Sequence, residues 1–256
     1  GRGRSREVRP DMTAGPAVLA MLTAFAVGLK AAAATGRAWR RRVDTLSASD
    51  RAILYDALGE GEVSMAIAGG APGEGTVQIH EAVLPGVWIG RAEDDQGTVR
   101  AEWVEVGDAP RVLREVAESR PRADIAIDAL APPLGSMNVM NVLSEVRSRA
   151  TAWQPDGAPN HVMNFTLLPM SPVDTAFLAK VLGETGVRIS SGGYGTARVI
   201  MTALKHVWAV QYLNGIGTTI LDTIEIGDIP DAILASREDF EDSAARLDEI
   251  GEVYLQ

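Results

Sequence analysis

Residues 204–230, LKHVWAVQYLNGIGTTILDTIEIGDIP, decide how this chain is read, because the sequence contains the pattern twice. Residues 87–110 read VWIGRAEDDQGTVRAEWVEVGDAP, and they align with residues 207–230 at a constant distance of 120 positions. Val87-Trp88 falls on Val207-Trp208, Gly97-Thr98 on Gly217-Thr218, Glu105 on Glu225, Gly107-Asp108 on Gly227-Asp228 and Pro110 on Pro230. Val104 and Val106 are answered by Ile224 and Ile226. A shared start, middle and end in one register is the mark of an internal repeat.

Upstream the pairing continues. Residues 46–60, LSASDRAILYDALGE, match residues 170–184, MSPVDTAFLAKVLGE, at 124 positions. The change from 124 to 120 places a four-residue deletion between the blocks, in a glycine-rich loop where length changes are tolerated. In each copy a helix capped by serine is followed by β-branched, alternating runs with turn residues between them. Strands are expected over 62–68, 76–83, 87–91 and 99–106, then over 187–189, 197–202, 207–212 and 219–226. Pro110 and Pro230 each sit where a helix can begin. In the second copy the whole segment 231–255 reads as helical.

The expected fold is α+β. It has two tandem repeats, each a helix, a small antiparallel β-meander and a following helix, forming a pseudo-twofold body with a groove between the lobes. Four segments result: a basic, Ala-rich N-terminal segment (1–45), a first lobe (46–120), a linker (121–136) and a second lobe with an acidic C-terminal helix (137–256). The offset also places a helix over 137–153 and a strand over 160–167, with counterparts over 13–29 and 36–43.

The chain has 256 residues, a net charge of −10 and no cysteine. Disulfides, thiol nucleophiles and thiolate-held metal or iron–sulfur sites are therefore excluded. His80, His161 and His206 are not spaced as metal ligands. The charge is uneven. Arg2, Arg4, Arg6, Arg9, Arg37, Arg40, Arg41 and Arg42 crowd the N-terminal segment, whereas Glu238, Asp239, Glu241 and Asp242 begin an acidic C-terminal one. An acidic body argues against nucleic acid as a partner and suits a basic peptide or protein. The apolar run over 16–29 is preceded by basic residues, as in a signal peptide, and is too short for a stable membrane span. Leu22, Phe25, Ala26 and Leu29 fall at helical spacing, which favours a helix packed on the core.

No catalytic constellation stands out. Gly193-Tyr194-Gly195 and Gly215-Ile216-Gly217 lie between strands rather than before a crossover helix, so they read as hairpin turns and not phosphate cradles. Asp222 and Glu225 have opposite parity on one strand and face opposite sides. Glu105 and Glu225 hold equivalent places, as a structural role predicts. Trp88 and Trp208 read as the core of each lobe or as interface anchors.

Several blocks together resemble the HupH/HyaF family of hydrogenase expression proteins, which includes the HoxQ proteins. They are LGEGEV (58–63), GVW (86–88), NFTLLPMSPVDTAFLAKVL (164–182), GGYG (192–195), HVW (206–208) and REDFEDSAARLDEI (237–250). The resemblance covers roughly residues 46–252 and is weak before them. It implies a cytoplasmic, non-catalytic accessory protein for a membrane-bound uptake [NiFe] hydrogenase. The implied client is the precursor of the small, iron–sulfur-bearing subunit before export. A thioredoxin-like protein of the HupG/HyaE type is the implied co-worker. The resemblance carries over no catalytic residue, and no cofactor is expected. Because the repeat assigns shared residues to the scaffold, the candidate partner-binding residues are those specific to the second copy: His206, Gln211, Tyr212 and Asn214, with Trp208 and the acidic Glu238, Asp239, Glu241 and Asp242. The rival reading is a small-molecule-binding enzyme that uses the cleft between the lobes, with Asp222, Glu225 or His206 as acid/base groups.

Overall fold

A computed structural model describes residues 15–69, 74–155, 157–192 and 196–254. The turn expected at Gly193-Tyr194-Gly195 and the arginines before residue 10 fall outside the described residues. In chain order the elements of the first half are α1 (Pro16–Thr35), β1 (Trp39–Arg42), α2 (Ala48–Leu58), β2 (Val63–Ala68), β3 (Thr76–Glu81), β4 (Val87–Glu93), β5 (Val99–Val106) and α3 (Arg111–Ser119). Then come a 3₁₀ turn (Ile127–Ala129), α4 (Val139–Ala152), β6 (His161–Asn164), α5 (Pro172–Leu182), β7 (Glu184–Ser191), β8 (Thr196–Thr202), β9 (Val207–Leu213) and β10 (Thr219–Ile226). A second 3₁₀ turn (Asp231–Ile233) and α6 (Arg237–Tyr254) close the chain.

The protein is α+β, with all strands in one antiparallel sheet of order β1-β5-β4-β3-β2-β7-β8-β9-β10-β6. Two separate small meanders were expected, with a groove between them. Instead β2 and β7 pair directly, with Met65 opposite Ile189 and Ile67 opposite Val187. Both strands bury one row and expose the other, so joining them edge to edge continues one apolar face and leaves no unpaired edge inside the molecule. On the other face of this seam Ser64, Ala66, Ala68, Arg188 and Ser190 are open to solvent.

Three apolar clusters fill the fold. On one face of the sheet Met65, Ile67, Ile79, Trp88, Val187, Ile189, Val199, Trp208 and Val210 pack under Leu113 and Val116 of α3 and under Ile233. On the other face α1, α2 and α6 cover Val87, Ile89, Val104 and Val106. There α4 and α5 cover Val207, Ile224 and Ile226 in the second half. The helical spacing read in α1 is the spacing that buries it, since Leu22, Phe25, Ala26 and Leu29 are almost fully enclosed. The expectation that the run is too short for a membrane span is corrected: the helix continues past Leu29 to Thr35, and among the described residues it is the one helix long and apolar enough to cross a membrane.

Each half is finished by chain from the other. After α3 the connecting segment crosses to the second half, where Arg122 N donates to Ala203 O (2.9 Å) and accepts through its own carbonyl from Lys205 N (2.9 Å). Asp124 pairs with Arg147 of α4 at 2.7 Å, and Ile125 and Ile127 enter the cluster beneath that helix. Conversely α6 packs along α1 and over the β3–β4 turn, where Ser243 Oγ donates to Pro85 O (2.9 Å) and Arg246 Nη1 to Val83 O (3.2 Å).

The expected continuous helix over 231–255 is corrected. It breaks at Leu234–Ser236 and restarts as α6. Ser236 and Asp239 form a reciprocal cap: Ser236 N donates to Asp239 Oδ2 (2.6 Å), and Asp239 N donates to Ser236 Oγ (3.1 Å). The cap resets the helix axis so that Phe240, Ala244 and Leu247 reach the first-half core.

That seating depends on Gly86. Its φ is +81°, and a Cβ there would lie 2.3 Å from Phe240 Cε1. Gly86→Ala is expected to cost about 3 kcal/mol, from the forced shift of Phe240 and the left-handed backbone together. Urea unfolding measures it, and a loss confined to a few tenths of a kcal/mol would show that Phe240 can move aside.

Candidate functional site

The site is built around β9 and the turn before it. Trp208 lies opposite Met201 on β8 and Glu225 on β10, as Trp88 lies opposite Glu81 and Glu105 in the first half. Both indoles are buried. Trp88 Nε1 donates to Gly107 O at 2.8 Å. Trp208 Nε1 is buried with no hydrogen-bond partner among the described residues. The two indoles thus differ in their hydrogen bonding at the same position.

His206 supplies a second difference. It takes φ +63°, which is unusual for a residue with a side chain, at the position where the first half has Gly86. Both residues perform the same backbone task, since each carbonyl accepts from a glycine N–H, Gly107 N at 3.0 Å and Gly227 N at 2.8 Å. The two halves thus share this left-handed backbone shape, and in the second half it carries an imidazole. The imidazole stacks on Trp153 at the end of α4, with ring centroids 4.1 Å apart. Burial lowers its pKa, helped by Lys205 and opposed by Glu118. Lys205 Nζ itself pairs with Glu118 Oε2 at 2.5 Å.

A small cavity of about 30 Å³ lies among these groups, lined by Glu118, Trp153, Met201, His206, Trp208 and Asp228. That is room for roughly two waters. Small-molecule sites run to about 300–1,000 Å³, so this cavity cannot enclose a metabolite. A larger hollow of about 270 Å³ lies elsewhere, beside Asp128, Ser144, Arg147 and Thr151 of the linker and α4. Among the described residues no three His, Asp or Glu side chains stand close enough together to hold a metal ion.

The structure brings together only some of the residues singled out from the sequence. His206 and Trp208 share the cavity. Gln211 lies opposite Asp222 and hydrogen-bonds to it, while burial raises the Asp222 pKa. Tyr212 packs at the border of the core on the other face, its pKa raised by burial and then by Glu225. Asn214 shapes the β9–β10 turn, its side-chain oxygen accepting from Ile216 N (3.1 Å) and Thr218 N (2.9 Å). Asp94 does the same in the first half with Gln96 N and Thr98 N. Asp222 and Glu225 do face opposite sides of the sheet. Burial raises the Glu225 pKa, countered by Asn160. The acids Glu238, Glu241 and Asp242 are exposed on α6, and Asp239 serves its cap. Trp153 and Glu118, which complete the cavity, carry no signal in their spacing. His206 carries one, because GVW in one copy stands against HVW in the other.

These features define a class: an α+β protein whose single antiparallel sheet is built of two like-ordered halves. A family model described as "HupH hydrogenase expression protein, C-terminal conserved region" matches residues 43–129 and 136–254. The hydrogenase expression/formation protein HupH of Rhizobium leguminosarum bv. viciae is 43% identical over 209 residues, covering 81% of this chain and 71% of that protein. HoxQ of Cupriavidus necator, a hydrogenase expression/formation protein, is 42% identical over 205 residues, with 80% and 70% covered. The hydrogenase-1 operon protein HyaF of Escherichia coli is 34% identical over 207 residues, with 80% and 70% covered. A solved structure of hydrogenase expression protein HupH from Thiobacillus denitrificans is 28% identical, with a TM-score of 0.36 over 41% of this chain and 90% of that one. The chain belongs to the HupH family of hydrogenase expression proteins.

Proposed function

We propose that this protein is a non-catalytic accessory factor in hydrogenase maturation. It holds the precursor of the small, iron–sulfur-bearing subunit in the cytoplasm before export, beside a thioredoxin-like maturation protein. Family membership supports the hydrogenase setting. The observation that carries the non-catalytic reading is the cavity at His206 and Trp208, which is too small for a substrate yet sits where the second copy departs from the first. The paired strands at the seam, where a groove was expected, favour the accessory reading over the cleft-using enzyme.

We also propose that the halves are copies of one duplicated unit related by a pseudo-twofold axis, with 46–120 and 137–256 as the two lobes. The sheet order supports this, since reading inward from either edge gives the same sequence of strands by place within each half. In such a pair one copy keeps the scaffold and the other diverges toward its client.

Co-purification of the tagged protein with the small-subunit precursor tests the main reading. No association, together with normal small-subunit maturation in a deletion strain, would sink it. The acidic face adds a sharper expectation. Reversing Glu238, Glu241 and Asp242 to lysine lowers affinity for the precursor at low salt by about tenfold. The melting temperature moves by only about 2 °C, because exposed charges contribute little to stability. Asp239 is left unchanged because it caps α6. Equal affinity at low salt would remove α6 from the interface.

A further inference from the structure

The two edges of the sheet are guarded differently. Edge strand β1 carries Arg40, Arg41 and Arg42 in a row. Arg40 reaches Glu105 at 3.2 Å and lies over the Trp103 ring at 4.8 Å. Charged side chains of this kind are how natural sheets keep an exposed edge from pairing with another chain. The opposite edge, β6, reads His161-Val162-Met163-Asn164 and has no arginine, lysine or carboxylate. His161 Nε2 is 3.2 Å from Glu145 Oε1.

The register fixes which backbone groups of β6 are free. Phe165 N donates to Asp222 O at 3.0 Å, Met163 lies opposite Ile224, and His161 lies opposite Ile226. In an antiparallel ladder alternate residues bond to the neighbouring strand. The N–H and C=O of Val162 therefore point away from the sheet. The Val162 side chain is 52% exposed.

Exposed apolar residues follow this strand in the chain. Leu167 is 80% exposed and Leu168 37%, in the turn that follows β6. Asn138 Nδ2 donates to Pro169 O (2.7 Å) and Met137 N to Asp174 Oδ1 (2.9 Å), which ties the start of α4 to that turn and to α5, where Met137 and Val173 are exposed. The first half has no such patch at the equivalent edge. There Val43 is buried, and Asp44 is paired with Arg42.

We propose that β6 is a docking strand, which receives by strand addition an extended, apolar segment of a partner protein that lacks acidic residues. Strand addition matches the outward N–H and C=O of Val162 with a peptide backbone, and the exposed apolar side chains beside it favour apolar residues in that peptide. The net charge of −10 disfavours both an acidic segment and a second copy of this chain as the occupant. The docking strand stands whichever client the protein serves.

The test uses the full chain and a phage-displayed library of random 12-residue peptides. The wild-type protein is expected to enrich peptides rich in β-branched residues and poor in Asp and Glu. A synthetic copy of one such peptide should bind at least about tenfold more weakly to Val162→Arg, which gives β6 the guard that β1 has, and to Val162→Pro, which removes the outward N–H. Ile216→Arg, at an exposed hairpin tip away from β6, should bind as wild type. Circular dichroism checks the fold, and Val162→Arg decides the matter if the proline variant does not fold. The idea is overturned if no peptide is enriched, or if selected peptides bind Val162→Arg as tightly as wild type. It is also overturned if wild type self-associates with rising concentration and Val162→Arg abolishes this, because a second copy then holds the edge. Peptide binding without precursor binding would leave the docking strand standing and remove the small-subunit reading.

Discussion

Replacing Glu81 by glutamine is expected to raise stability at pH 8 by about 3 kcal/mol and to remove a fall in stability that wild type shows between pH 4.5 and 7. Glu81 ends β3 and is only 8% exposed. Burial pushes its pKa from the ordinary 4.5 up to about 7; Gly86 N, which donates to Oε1 at 3.0 Å, works the other way, and Asp239 and Glu62 add to the rise. An acid whose pKa is higher in the folded state holds its proton more tightly there. The fold is therefore most favoured below pH 4.5, where the carboxyl is protonated in both states, and loses that advantage as pH rises to 7. Glutamine copies the protonated form and keeps an acceptor for Gly86 N. The second half supplies a natural control, since Met201 stands opposite Trp208 where Glu81 stands opposite Trp88. Urea unfolding at four pH values between 5 and 8 measures the effect. A slope in Glu81→Gln as steep as in wild type would assign the pH dependence to other groups.

Asp174→Ala is expected to lower the melting temperature by roughly 10 °C, while Asp50→Ala lowers it by roughly 3 °C. Asp174 is fully enclosed and joins two helices. It completes the cap of α5, where Ser171 N and Oγ each donate to Oδ2 at 3.0 Å. It also accepts from Met137 N (2.9 Å) and Val139 N (3.2 Å) at the start of α4. Removing it orphans donors of both helices at once. Asp50 caps α2 with Ser47 but is partly exposed. Burial works to raise the Asp174 pKa, yet the donors from Ser171, Met137 and Val139 outweigh it and hold the carboxyl at about 2. The stabilisation is therefore complete above pH 3.8 and is lost as pH falls toward 2. Thermal melts of both variants at neutral pH and at pH 3 check this, and equal losses at the two aspartates would refute the double cap.

The strands were legible because the chain writes them twice. Alternation alone is ambiguous for short runs, but two copies in one register fixed β5 and β10 to their observed bounds. The joining of β2 to β7 was not legible. Val63, Met65 and Ile67 announce one buried face, and nothing in them says which strand lies alongside. The start of β7 was missed because Glu184-Thr185-Gly186 reads as a turn. The restart of α6 is written in the sequence as Ser236-x-x-Asp239, but Pro230 offers a competing helix start six residues earlier. At the candidate site, His206 was legible by contrast with Gly86. Trp153, which stacks on it at the end of α4, and Glu118 of α3, which shares its cavity, are brought in only by the tertiary fold. The unguarded edge at β6 was equally hidden, because an edge exists only once the strand order is known.

The crossing of the tails sets a timetable for synthesis. The first-half core is completed by Phe240, Ala244 and Leu247, which leave the ribosome more than 130 residues after β5. Leu22, Phe25 and Leu29 wait for them, so an unfinished chain displays an open apolar side along α1. Domains that fold as independent units can be completed one after another during translation. Here the first half lacks part of its core until α6 has been made, and a nascent chain stalled before Phe240 keeps that side of α1 uncovered.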